Sequence, residues 1–234
     1  MKIFVQFLIL FLSIILISCN PSSPQPSRKN QPVRPKNKMG SAPTSKNIDS
    51  ARKASYMSSR EKDMIKEINL IRSNPKGYIP IVEAYIKDQE AQMSQIISGK
   101  EYVRDEIKTA KELIKELRKT SPMSILQPNE GVYKAAKIHG IEGKKKGSLN
   151  HVGSNGSWPW DRIKKHAGFA NGGENLVGGL SDVRESVMVL LVDSGIDGRG
   201  HRKALLNPQW SYVACYEVGQ VGTMPHYWVQ NFAN

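Results

Sequence analysis

Cysteine is almost absent: Cys19 and Cys215 are the only two in 234 residues. Cys19 directly follows the apolar leader, which leaves Cys215 as the one cysteine beyond it. No intramolecular disulfide then staples the fold, and a disulfide-framework domain is excluded. Cys215 lies in the apolar stretch "YVACYEV", the setting of a buried thiol and not of a nucleophile. Local metal-ligand spacing such as "HExxH" is also missing, as are an oxyanion motif and a nucleophile-base pair. Acidic residues are outnumbered, 21 against 34 Lys and Arg, for a net charge of +13. The excess is spread: six basic residues to one acid over 20–50, fifteen to eleven over 51–120, and twelve to nine over 121–234. There is no basic helix with interleaved aromatics, so nucleic acid is not the expected partner; basic tethers suit anionic membrane surfaces.

A long apolar run is present only at the start. Lys2 is followed by Ile3 to Ile17, interrupted by Gln6 and Ser13, and then by Ser18-Cys19. This is a secretory leader, short for a membrane span. "LISC" resembles a bacterial lipobox, which implies removal of residues 1–18 and lipidation of Cys19. Asn20 in place of an aspartate points onward to the outer membrane or cell surface. Residues 19–50 hold six of the thirteen prolines among Ser, Asn, Gln and Lys, the composition of a disordered tether.

Helical periodicity begins near Ser58, with Met64, Ile65, Ile68 and Ile71 on one stripe up to "SNPKG". A second helical stretch covers Ile79 to Ile97. A third places Val103, Ile107, Ala110, Ile114 and Leu117 on one face, suited to packing on the domain's flank. A fourth starts near Pro128, turns Val132, Ala135, Ala136 and Ile138 inward, and ends at Gly147; Lys144 to Lys146 form its solvated end. Asp182 and Glu185 have capping-box spacing before a helix that buries Val183, Val187, Leu190 and Leu191. "SYVACYEVG" and "HYWVQNFA" form an antiparallel hairpin. Helices around a small antiparallel sheet make the fold α+β.

Polar motifs lie between these elements. Asp193 ends its helix, where the dipole disfavours a carboxylate unless a histidine or cation is close. His201 opens a short helix running to Leu206, a position that favours neutral imidazole. Glu174 stands after Gly172 and Gly173, which let backbone approach and give the side chain few neighbours. Together with His151 these form two imidazoles and two carboxylates. Such a kit either binds zinc with one acid left as base or forms a hydrogen-bonded network across loops; spacing leaves both open. Asp161 and Arg162 pair or cap the helix that starts there, Asp161 being an outside candidate for the acid. Of Trp158 and Trp160, one is expected in the core and one at a rim. His139, His166 and His226 are read as surface or satisfied histidines.

The segments "LNHVGSNGSWPWDRI", "GGENLVGG", "GHRKALLNP" and "YWVQNF", in that order and spacing, resemble the CAP superfamily, or SCP domain, in its bacterial branch. The resemblance covers about residues 125 to 234, with "EINLIRSNP" as the usual first helix. It implies one domain over 51–234 with a helical insertion at about 79–120, and an α-β-α sandwich. It also implies a central cavity lined by His151, Glu174, His201 and Asp193, the last in place of the commoner glutamate. Relatives bind lipids or metals, signal through protein contacts or, in a few cases, act as proteases. The expectation is a lipid-anchored binding module whose cavity takes a divalent cation such as zinc, through His151 and His201, or a lipid-like, protein or other small ligand. The alternatives are a metal-dependent hydrolase with Glu174 as general base, and a structural protein in which the four residues lock the fold.

Overall fold

The computed structural model describes residues 48–95 and 98–234. The leader, Cys19 and the tether through residue 47 lie outside the described residues, as does Ile97. Residues 48–50, expected in the tether, already belong to the domain: Asn69 donates to the Ile48 carbonyl, and the Ser50 hydroxyl donates to the Leu126 carbonyl.

Helix α1 (Ser59–Ser73) starts at a reciprocal cap, with Ser58 accepting from the Glu61 amide and the Glu61 carboxylate accepting from the Ser58 amide. Met64, Ile65, Ile68 and Ile71 are fully buried along its stripe. Asn74 closes it, because Pro75 disfavours helical backbone in the residue before it. The segment expected as an insertion forms helices α2 (Ile79–Gln95) and α3 (Lys100–Leu117). Ile107, Ala110, Leu113, Ile114 and Leu117 bury one face of α3 in the main core. Glu112 and Glu116 on α3 pair with Arg199 and Arg202 and tie α3 to the segment after α6.

The remaining elements are β1 (Gln127–Pro128), α4 (Glu130–Lys146), α5 (Pro159–Ala167), β2 (Gly172–Val177), α6 (Val183–Val192), α7 (Gly200–Leu205), β3 (Tyr212–Val221) and β4 (Met224–Ala233). The expected hairpin is β3–β4, but the sheet is larger and mixed, in the order β1-β3-β4-β2 with β1 parallel to β3. "GGENLV" is strand β2, paired antiparallel with β4 from Gly172↔Ala233 to Val177↔Trp228. It lacks a strand signature because Glu174 to Val177 are buried on both faces, so no polar-apolar alternation marks it.

Helices α4 and α5 cover one face of the sheet, and α1, α6 and α7 the other, giving the α-β-α sandwich. Neighbouring residues of β4 show the two sides: Gln230 reaches the Met64 sulfur of α1, whereas Asn231 faces Ala136 of α4. A Cβ at Gly140 would lie 2.7 Å from the Tyr216 ring and 2.8 Å from Val218, so glycine is what lets α4 sit so close to β3. Two expectations of burial fail, that of Ile138 and that of one tryptophan of the pair. Ile138 is exposed on the outer side of α4, and Trp158 and Trp160 are both exposed, stacked on each other and not in the core.

Candidate functional site

The first cluster forms around Glu174, whose carboxylate is fully buried. His151 follows the end of α4, where Gly147 takes left-handed backbone, and its Nδ1 lies 3.0 Å from Glu174 Oε1. Arg162 on α5 donates to Glu174 Oε2 at 2.9 Å and to the carbonyls of His151 and Ser157. With its amide oriented to accept from Ala136, Asn231 also donates to Glu174 Oε2, at 3.0 Å. Glu174 therefore has many close neighbours, contrary to the reading from its flanking glycines. A carboxylate in a dry interior is held only by such donors.

Asp161 caps α5 by accepting from the Trp158 amide, as expected, while Arg162 turns inward and does not pair with it. The spacing of Pro159, Arg162 and Ile163 on the buried side of α5 was the available signal. His139 is buried and its Nε2 sits 2.7 Å from the Asn150 carbonyl, while its Nδ1 has no hydrogen-bond partner, so the expected satisfied histidine is satisfied at one nitrogen only. Nε2 also stands 3.8 Å from Glu174, placing His139 in this cluster. Its position on the Val132, Ala135, Ala136 stripe foretold burial, though not this neighbour. Burial pulls the His139 pKa down and Arg162 adds to this, with Glu174 opposing. Burial, reinforced by Glu174, pushes the Tyr227 hydroxyl up to about 12.

The second cluster joins α6 to α7. Asp193 ends α6 in left-handed backbone, φ 55°. One carboxylate oxygen meets His201 Nδ1 at 2.7 Å; the other accepts the His201 and Arg202 amides at 2.9 and 3.3 Å. The charge that the end of α6 disfavours thus lies at the start of α7, where amides point at it. Arg202 donates to the carbonyls of Leu191 and Val192 and satisfies the C-terminal end of α6. Asp193 and His201 are fully buried, and His201 Nε2 has no hydrogen-bond partner.

The structure joins His151 to Glu174 and Asp193 to His201, on opposite sides of β2. Glu174 and Asn175 are adjacent in the pleat, Glu174 facing α4 and α5 while Asn175 donates to the His201 carbonyl of α7 at 3.4 Å. Both oxygens of each acid and the Nδ1 of each histidine are engaged by the chain itself. Among the described residues no group of three or more His, Cys, Asp or Glu is arranged to hold a metal ion. Two surface depressions, of about 440 and 480 Å³, lie elsewhere: one beside Glu67 and Arg184, the other between α2 and α3. Cys215 is buried in β3, its thiol pushed up by burial and by Glu61.

No curated protein matches the chain. Among solved structures, an outer surface protein from Borrelia burgdorferi is 23% identical, covering 59% of this chain and 96% of that one, with a TM-score of 0.42. An extracellular protein containing an SCP domain from Bacillus anthracis is 21% identical, covering 57% of this chain and 38% of that one, with a TM-score of 0.39. The model of the cysteine-rich secretory protein family, CAP, matches residues 111–232. That span is more than half of the chain and holds all four strands, both clusters and every motif from Gln127 to Phe232. The chain belongs to the CAP family.

Proposed function

We propose that this protein is an exported, lipid-anchored CAP domain that works by binding at the cell envelope, with its two histidine-acid pairs bracing the fold. The observation that carries this reading is the complete engagement of both acids: every oxygen of Glu174 and Asp193 accepts from a donor of the same chain. A general base must lie within hydrogen-bond reach of the proton it takes, and the Glu174 carboxylate is fully buried among Arg162, His151 and Asn231. Buried carboxylates whose oxygens all find donors tie together the elements that supply those donors, and these two link α5 to β2 and α6 to α7. Export and anchoring rest on the leader and on "LISC" with Cys19; no helix among the described residues is long and apolar enough to cross a membrane. The ligand, lipid-like or protein, then meets the outer surface and not the buried pairs.

The test is a calorimetric zinc titration of the chain from residue 20, beside His151→Ala and His201→Ala proteins checked by circular dichroism. The expected result is no binding in the range of about 10–16 kcal/mol reached by structural zinc sites. Tight zinc binding by the parent, lost in both folded variants, would overturn the reading in favour of a metal centre. Anchoring is tested separately: Cys19→Ser should move the protein out of the membrane fraction, and retention there would refute it.

A further inference from the structure

Six large hydrophobic side chains are exposed among the described residues: Tyr102, Ile138, Ile141, Val152, Trp158 and Trp160. All but Tyr102 belong to one unit, formed by α4, the loop after it and the start of α5. Because α4 and α5 form the outer layer on one face of the sheet, what they expose is exposed on one side of the molecule.

The two indoles are the centre of this surface. Their rings stack with centroids 5.2 Å apart and planes within 2°, yet Trp158 and Trp160 remain 43% and 40% exposed. The stack is held by α5's own start: Pro159 lies between the two residues and Asp161 accepts from the Trp158 amide. On α4, Lys134, Ile138, Ile141 and Lys145 follow one another at helical spacing, and all four are exposed.

The charge around this surface is predominantly positive. Residues 130–167 contain seven lysines, all exposed, and only three acids. Two of those acids are already used: Glu142 accepts from the Ser154 amide and Asp161 from that of Trp158. None of the seven lysines forms an ion pair among the described residues. Stacked exposed tryptophans on a layer whose exposed lysines outnumber its acids match the interfacial zone of an anionic bilayer, where indoles sit at headgroup level and lysine stems lie along apolar surface with their charges toward lipid phosphate.

We propose that this α4–α5 face docks the domain onto an anionic phospholipid surface. The docking deepens the reading of an envelope-bound binding module, since a lipid on Cys19 would hold the domain beside such a surface, but the contact is made by the folded domain itself.

The chain from residue 20, which keeps every described element and carries no lipid, is sedimented with phosphatidylethanolamine vesicles with and without phosphatidylglycerol. Binding should require phosphatidylglycerol, weaken as salt rises, and fall about tenfold or more in Trp158→Ala/Trp160→Ala and in Lys164→Glu/Lys165→Glu. Both pairs are exposed, and circular dichroism confirms that each variant is folded. Equal binding to neutral vesicles, no binding to either, or undiminished binding by both folded variants would overturn the proposal. Capture by an anionic polysaccharide without vesicle binding would overturn it too and reassign the surface. Because the lipid is absent, failure here leaves the Cys19 test untouched, and retention of the Cys19→Ser protein in the membrane fraction leaves this one untouched.

Discussion

Asp193→Asn probes the Asp193–His201 brace most directly, because asparagine keeps the side chain's shape and tolerates left-handed backbone. The change therefore removes charge and one acceptor without adding backbone strain. Asp193 accepts from His201 Nδ1 and from two amides, all buried. If the new amide group faces the ring, His201 must switch tautomer, and the proton moves to Nε2, which has no partner. A buried donor left unsatisfied costs about 1–3 kcal/mol. The two backbone bonds also lose charge assistance, worth about 1–2 kcal/mol together. If the new group instead faces the amides, two donors are stranded, which costs more. The expected loss is about 3 kcal/mol, or a fall in Tm of about 6–12 °C for a domain of this size. Urea and thermal unfolding followed by circular dichroism measure it. A loss below about 1 kcal/mol with the fold intact would show that the pair does not brace the junction.

Two further outcomes follow from particular contacts. Burial, the largest influence on His139, lowers its folded-state pKa; above about pH 6.5 the ring is neutral in both states, and below it the unfolded chain takes up the proton first. Stability should therefore fall as pH drops below that value and level off once folded His139 also protonates, a slope that His139→Gln should flatten in urea titrations. A Cβ at Gly131 would lie 2.5 Å from the His166 carbonyl and 2.8 Å from the Ala167 backbone. Gly131→Ala should therefore cost about 1–2 kcal/mol, overpacking outweighing the gain of about 1 kcal/mol in helix propensity; a stabilised protein would show that α5 shifts freely.

Local signals carried much of this protein. The stripe of Met64, Ile65, Ile68 and Ile71, the stop at Pro75, the end of α4 at Gly147 and the β3–β4 hairpin all depend on residues a few positions apart. The unease of a carboxylate at the end of α6 could likewise be read in advance, together with its remedy by a histidine or cation. Strand β2 could not, because burial on both faces erases the period on which a strand is recognised. Nor could β1, two residues long and paired in parallel with a strand more than eighty residues away. One tryptophan was expected at a rim, but the exposure of its neighbour was hidden, since only the fold shows which face is left uncovered.

The sequence by itself determined the succession of the long helices, the β3–β4 hairpin, the absence of a disulfide framework and the family, because caps, periodicity and motif order are local or linear properties. Only the tertiary structure decided what the polar residues do. Glu174 meets Arg162 across twelve positions and His151 across twenty-three, while the pleat of β2 turns Asn175, and not Glu174, toward α7. A buried carboxylate takes its character from the donors that surround it, and those donors come together only when the helices have closed on the sheet.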